Sequence, residues 1–194
     1  RLAQNQKLSL WKPYQATSNE KRPALQAART MFNLVPCAND FEQAFVDFLE
    51  TAKDVAAFAK NAGPQKLLID YLSPAGQRAL YEPDFIVRLK DGSYSLTELK
   101  GREDPLVPMK ASAAVEWCKA ASAAGPTWDY LYVPYHLFQQ SAVSTAGELA
   151  RACEPSLQGL LKEAQTGQQE LPLREAVARK ESDTVLSRLL GDAG

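Results

Sequence analysis

Residues 81–100 read YEPDFIVRLKDGSYSLTELK, and this stretch decides how the rest of the chain is interpreted. Two segments with β-strand character, Leu80–Leu89 and Tyr94–Leu99, flank the dipeptide Asp91-Gly92. Glycine accepts the positive φ that a tight hairpin turn requires. The two segments are therefore predicted to be strands that lie side by side.

This hairpin predicts a group of functional side chains at one edge of a sheet. Asp84 lies on the first strand, and the turn folds that strand back toward Glu98. Side chains alternate along a strand, so Glu98 and Lys100 share one face of the second strand. Two neighbouring carboxylates repel each other unless a cation neutralises them. Their oxygen atoms suit Mg²⁺, with Mn²⁺ expected to substitute for it.

The residues beside these carboxylates extend the same chemistry. Leu99 can offer its backbone carbonyl as a further oxygen ligand. Lys100 can orient an attacking water or stabilise the charge that builds on a phosphate. The pattern therefore indicates metal-assisted hydrolysis of a phosphodiester. A cross-strand salt bridge among Asp84, Glu98 and Lys100 on a solvated sheet face is the alternative interpretation.

The segments on either side of the hairpin predict an α/β fold. Upstream, apolar periodicity predicts one helix from Asn39 to a stop at Gly63-Pro64, and an apolar run predicts a strand at Lys66–Leu72. Downstream, a second helix is predicted to end before Gly125-Pro126 and a fourth strand to cover Trp128–Val133. The predicted order is helix, three strands, helix and strand.

The remaining sequence suggests three regions. Residues 1–38 carry three X-Pro pairs without sustained periodicity, which predicts a connecting arm with one short helix near Ala24–Met31, although an ordered lobe fits equally well. Residues 39–140 form the predicted core, and residues 141–194 a C-terminal helical extension. Because the sequence begins at Arg1, we expect it to be a piece of a longer protein.

Two sets of residues carry a resemblance to a known family. Tyr81-Glu82-Pro83-Asp84 followed by Glu98-Leu99-Lys100 resembles the PD-(D/E)XK signature of restriction-endonuclease-like nucleases. The following string is similar to the C-terminal nuclease domain of type III restriction subunit-like DEAD/DEAH-box helicases: Lys100-Gly101-Arg102-Glu103-Asp104, Val107, Lys110, Ala113-Ala114 and Trp117-Cys118. The resemblance covers residues 39–140 and implies an α-β-β-β-α-β core with a mixed sheet flanked by helices.

The resemblance also implies roles for individual residues. Asp84 and Glu98 become metal ligands and catalytic residues, Lys100 becomes the catalytic lysine, and Glu42 matches an upstream acidic residue that completes the metal site. An acid in the first turn of a helix is equally well explained by the helix dipole. Lys110 and Arg102 are candidate DNA contacts, although a solvated lysine explains the first equally well.

Charge and composition limit the expected partners. The chain has 194 residues and 22 basic against 23 acidic side chains, which gives no global attraction to nucleic acid. DNA would then be held chiefly by the helicase or ATPase motor that the resemblance implies in the same polypeptide or complex. Three widely spaced cysteines and one histidine disfavour a structural zinc site. No apolar run approaches the length needed to cross a membrane, and a cytoplasmic location is expected.

The leading expectation is a Mg²⁺-dependent endodeoxyribonuclease domain, part of a helicase-nuclease in restriction or anti-phage defence. The alternative is a catalytically silent module that keeps the nuclease fold and binds DNA ends or docks another protein. RNA as the substrate stays open, because no residue is identifiable as reading a 2′-hydroxyl. The oligomeric state is also open, and the C-terminal helices are a candidate pairing surface.

Overall fold

The computed structural model describes residues 12–16, 18–20, 22–64, 66–102 and 104–166. The last helix, α4, covers residues 146–166. The other strands and helices, in chain order, are β1 (Ala24–Gln26), β2 (Leu34–Pro36), α1 (Asp40–Thr51), β3 (Val55–Lys60), β4 (Ile69–Leu72), β5 (Arg78–Tyr81), β6 (Phe85–Leu89), β7 (Tyr94–Lys100), α2 (Val107–Ala124), β8 (Trp128–Pro134) and α3 (Tyr135–Gln140).

The predicted hairpin lies at the centre of a four-stranded sheet with the order β3-β6-β7-β8. β6 and β7 pair antiparallel, and Gly92 in the turn between them has a φ of 90°. β3 pairs antiparallel with β6, whereas β8 runs parallel to β7 after the α2 crossover. The sheet is therefore mixed, and the prediction of an α/β fold with helices flanking the sheet is confirmed.

Each face of the sheet packs against helices. On one face, Phe85 and Val87 join a core with Phe45 of α1 and Leu149 of α4. Side chains alternate along a strand, so neighbouring residues of β6 and β7 point to the other face, where they join a second core. Its members include Ile86, Leu96, Ala111, Ala114, Cys118 and Leu157. The small residues of α2 let that helix lie close to the sheet.

The first predicted helix is too long. α1 ends at Thr51, and the next segment, Val55–Lys60, is strand β3 rather than the end of a helix. Its sequence, VAAFAK, is a short apolar run with buried residues on both faces, and such a run fits a helix and a strand equally well by periodicity. The pairing of β3 with β6 decides between them.

The strands around Pro83 also differ from the prediction. β4 pairs with β5 in a separate two-stranded sheet, so the predicted strand Lys66–Leu72 is not part of the main sheet, where β3 takes its place. The predicted strand Leu80–Leu89 is broken between β5 and β6. Proline lacks the N–H that a continuous strand ladder needs, which explains the break at Pro83.

The N-terminal region contains strands where a short helix was predicted. Ala24–Gln26 is strand β1, paired antiparallel with β2. Downstream, the backbone N–H of Phe58 donates to the Arg29 carbonyl, and the Arg29 guanidinium donates to the Ala52 carbonyl at 2.7 Å. Val35 of β2 is buried in the first core. These long-range contacts outweigh the weak local helix propensity of the segment.

The C-terminal extension is helical in its described part, α4, as predicted. Leu149 and Cys153 belong to the first core and Leu157 to the second. Residues 167–194, the rest of the predicted extension, lie outside the described residues. The division of the chain at residues 38 and 140 stays a prediction.

Asp54 connects the turn before β3 to the start of α4. Its Oδ1 accepts from the Ala146 N–H at 2.8 Å, and its Oδ2 accepts from the Gly147 N–H at 2.9 Å. We expect Asp54→Ala to lower the free energy of unfolding by about 1–2 kcal/mol, because two helix N–H groups lose an anionic acceptor. Asp47, exposed in α1, provides the control, with an expected change within about 0.5 kcal/mol for Asp47→Ala. Equal midpoints of urea unfolding for the two variants would contradict this role.

Candidate active site

Asp84 is fixed at the beginning of β6 by backbone contacts on both sides. Its N–H donates to the Thr97 carbonyl at 2.9 Å, and its Oδ2 accepts from the Leu99 N–H at 2.8 Å. Its backbone carbonyl accepts a hydrogen bond from the backbone N–H of Asn61. Asn61 is buried, and its side-chain amide donates to the Pro83 carbonyl. Because β6 does not continue past Asp84 toward Pro83, the Leu99 N–H of β7 bonds to the Asp84 carboxylate instead of to a backbone carbonyl of β6.

The Leu99 carbonyl faces the same side as this carboxylate. In a strand, the N–H and C=O of one residue point toward the same neighbouring strand. Because the Leu99 N–H points to Asp84, beyond the end of β6, its carbonyl oxygen is directed there as well. The direction of the Leu99 backbone is therefore consistent with the prediction that the Asp84 carboxylate and the Leu99 carbonyl oxygen serve the same site.

Glu98 is held by two tyrosines from neighbouring elements. Its Oε2 accepts from the Tyr81 hydroxyl at 2.9 Å, and the Tyr81 and Tyr130 hydroxyl oxygens are 3.1 Å apart. Burial raises the pKa of Glu98 to about 8, and the negative charge of Asp84 adds to the rise. The structure thus brings together the two predicted ligands, and their repulsion is what a bound cation would relieve.

Lys100 lies on the same face of β7 as Glu98 and is positioned by an acidic residue. Its Nζ is 3.2 Å from Asp104 Oδ2, and Lys110 Nζ is 2.7 Å from the same oxygen. The hydrogen bond from Lys110 is the main reason that the pKa of Asp104 lies well below its usual range. Both lysines also lower the pKa of Glu98, so their charges reach the carboxylate site. From the sequence, Asp104 was named only within the string that carries the resemblance and was given no role.

Glu42 reaches the site through a lysine that the sequence interpretation missed. Lys60 Nζ is 3.1 Å from Glu42 Oε1 and 3.0 Å from Asp84 Oδ1. The other Glu42 oxygen, Oε2, accepts from the Ala38 N–H at 2.9 Å. Interpreting residues 55–60 as a strand would have revealed Lys60, because the last residue of β3 is then paired with Phe85, next to Asp84.

The two candidate DNA contacts have different surroundings. Lys110 is half-buried beside Asp104, next to Lys100. Arg102 is exposed in the loop that follows β7. The structure therefore places Lys110, but not Arg102, beside Lys100 and Asp104, where its charge acts on Glu98.

The donor set fits a hard divalent cation with few protein ligands. Among the described residues, no cluster of three or more histidine, cysteine, aspartate or glutamate side chains forms a metal site. Asp84 and Glu98 instead supply two carboxylates, and the Leu99 carbonyl supplies a third oxygen. Mg²⁺ commonly keeps several waters and uses one or two carboxylates, so this set is chemically adequate.

Comparison with protein-family models, curated proteins and solved structures finds no match to this chain. None of the helices in the described part of the chain is long and apolar enough to cross a membrane.

Proposed function

We propose that this chain is a divalent-metal-dependent endonuclease domain that hydrolyses phosphodiester bonds in DNA. The observation that carries the proposal is the convergence of Asp84, Glu98 and Lys100 at one end of the β6–β7 hairpin. A simple surface salt bridge would pair the lysine with these carboxylates, yet Lys100 is paired with Asp104 and the two carboxylates repel each other. Lys60 already pairs with Asp84, so Glu98 is the carboxylate without an ion pair among the described residues, and a divalent cation would supply that partner.

The order of the elements supports a restriction-endonuclease-like core. α1 precedes β3, β6 and β7, and α2 leads to the parallel strand β8. This is the α-β-β-β-α-β order with a mixed sheet that the family resemblance implies, once β3 replaces the segment Lys66–Leu72. The hairpin formed by β4 and β5 is an insertion between the first two core strands.

Each residue of the site has a role in the proposed reaction. Asp84, Glu98 and the Leu99 carbonyl would hold Mg²⁺ or Mn²⁺, which lowers the pKa of water and polarises a phosphoryl oxygen when bound. Lys100 orients the attacking water and offsets the negative charge that develops on the phosphate. Asp104 positions the Lys100 ammonium, and Tyr81 orients the Glu98 carboxylate.

The cellular context is part of the same proposal and rests on the resemblance. The balance of 22 basic and 23 acidic residues supports a domain that receives DNA from a motor rather than capturing DNA by charge alone. A helicase or ATPase in the same polypeptide or complex would supply that motor. Cytoplasmic defence against foreign DNA is the setting that the resemblance implies.

The proposal is tested by incubating the chain with supercoiled plasmid in Mn²⁺, in Mg²⁺ and in EDTA. We expect nicking in the two divalent ions and none in EDTA. Asp84→Asn should abolish the nicking, whereas the matched variant Asp70→Asn, exposed on β4, should keep it. A parallel reaction with RNA of the same length identifies the nucleic acid that is cut. Absence of cleavage by the folded chain in Mn²⁺ would contradict a self-contained nuclease and favour a docking or DNA-end-binding module.

A further inference from the structure

Lys60 is a nearly buried ammonium between two carboxylates of the proposed site. Its side chain is 12% exposed, and its Nζ lies 3.0 Å from Asp84 Oδ1 and 3.1 Å from Glu42 Oε1. The same nitrogen lies 4.7 Å from the centre of the Phe85 ring. Lys60 therefore places its ammonium within ion-pair distance of both carboxylates.

The surrounding hydrogen bonds engage both oxygens of Glu42. Oε1 is paired with Lys60 and Oε2 accepts from the Ala38 N–H. The Glu42 side chain is only 7% exposed. Because a divalent ion would have to displace the Lys60 ammonium to reach Oε1, Glu42 is poorly available as a metal ligand. Both oxygens of Asp84 are engaged as well, Oδ1 by Lys60 and Oδ2 by the Leu99 N–H, but its side chain is 23% exposed, so Asp84 is the more accessible of the two carboxylates to a hydrated ion.

We propose that the Lys60 ammonium is a built-in second cation of the site, which restricts the chain to one divalent ion. This inference rests on the proposed nuclease function. Phosphoryl-transfer sites often use two metal ions, which together neutralise the acidic ligands and the phosphate. Here Lys60 neutralises Glu42 and one oxygen of Asp84, so the single ion is held by Asp84, Glu98 and the Leu99 carbonyl. Lys60 is a positioning residue, because it acts through Asp84.

The stoichiometry of Mn²⁺ binding tests this assignment without any measurement of activity. Electron paramagnetic resonance of free Mn²⁺, in a titration of the full chain, should show one bound ion per chain. Glu42→Gln should still bind one ion, because Glu42 is not a ligand. Lys60→Met should gain a second ion, because it frees the carboxylates of Glu42 and Asp84. Lys66→Met removes a surface lysine paired with Glu82 and should leave the titration unchanged.

The outcomes separate this inference from the proposed function. Two ions bound to the wild type, with one lost in Glu42→Gln, would overturn the role of Lys60 but keep a metal-dependent site. A folded Lys60→Met that binds only one ion would also overturn it. No bound Mn²⁺ in the wild type would overturn both proposals. If Lys60→Met does not fold, Glu42→Gln decides between one and two ions.

Discussion

Replacing Glu98 by glutamine should lower the cleavage rate about 10³-fold or more. The change removes one of the two proposed carboxylate ligands, and with it several kcal/mol of transition-state stabilisation by the metal. The packing should survive, since glutamine has the same shape as glutamate. The glutamine oxygen can also still accept the hydrogen bond from the Tyr81 hydroxyl. Loss of activity would therefore reflect chemistry and not unfolding.

The same variant is expected to be more stable than the wild type in the absence of metal. The pKa of Glu98 is raised to about 8 in the folded protein by burial and by Asp84. Between the ordinary carboxyl pKa and that value, the folded state binds more protons than the unfolded state, so stability falls as the pH rises. The limiting slope is about 1.4 kcal/mol per pH unit for one proton. Glutamine does not titrate, and its advantage over glutamate should grow across this range.

Urea unfolding in EDTA at about pH 5 and about pH 8 measures this divergence. We expect wild type and Glu98→Gln to have similar free energies of unfolding at the lower pH. At the higher pH, the free energy of unfolding of the variant should be larger. Added Mn²⁺ should reverse the order, because it stabilises the wild type through ionised Glu98. Glu116→Gln, an exposed change in α2, serves as the control. A variant that keeps cleavage, or one without any pH-dependent advantage, would contradict the role assigned to Glu98.

The central hairpin could be predicted because its determinants are local. Asp91-Gly92 specifies the turn, and the alternation along residues 94–100 places Glu98 and Lys100 on one face. The convergence of Asp84 with Glu98 follows from that pairing alone. No information from distant parts of the chain is needed to reach it.

Lys60 and the identity of β3 could not be predicted in the same way. The run Val55–Lys60 has no local feature that separates a strand from a helix, and its pairing with β6 decides the outcome. The role of Lys60 depends on Glu42, 18 positions earlier, and on Asp84, for which the separation is 24 positions. The hydroxyl pair of Tyr81 and Tyr130 likewise joins residues 49 positions apart. Such contacts are specified by tertiary packing and not by a local pattern.

Lys100→Met should separate metal binding from catalysis. Methionine keeps much of the length and apolar character of the lysine stem but removes the ammonium that is held 3.2 Å from Asp104. We expect cleavage to fall by about 10²-fold or more, because the charge that orients water and offsets the phosphate is lost. The protein should still bind Mn²⁺, because Lys100 is not a ligand and only lowers the pKa of Glu98 from nearby.

The measurement pairs the plasmid assay with a Mn²⁺ titration of the same preparation. Lys119→Met is the matched control, since Lys119 is 68% exposed in a salt bridge with Glu116. It should leave both quantities unchanged, because an exposed ion pair contributes little. A Lys100→Met protein that loses Mn²⁺ together with cleavage would show that the ammonium maintains the metal site itself. One that cleaves normally would leave Lys110, held by the same Asp104 oxygen, as the cation that acts on the phosphate.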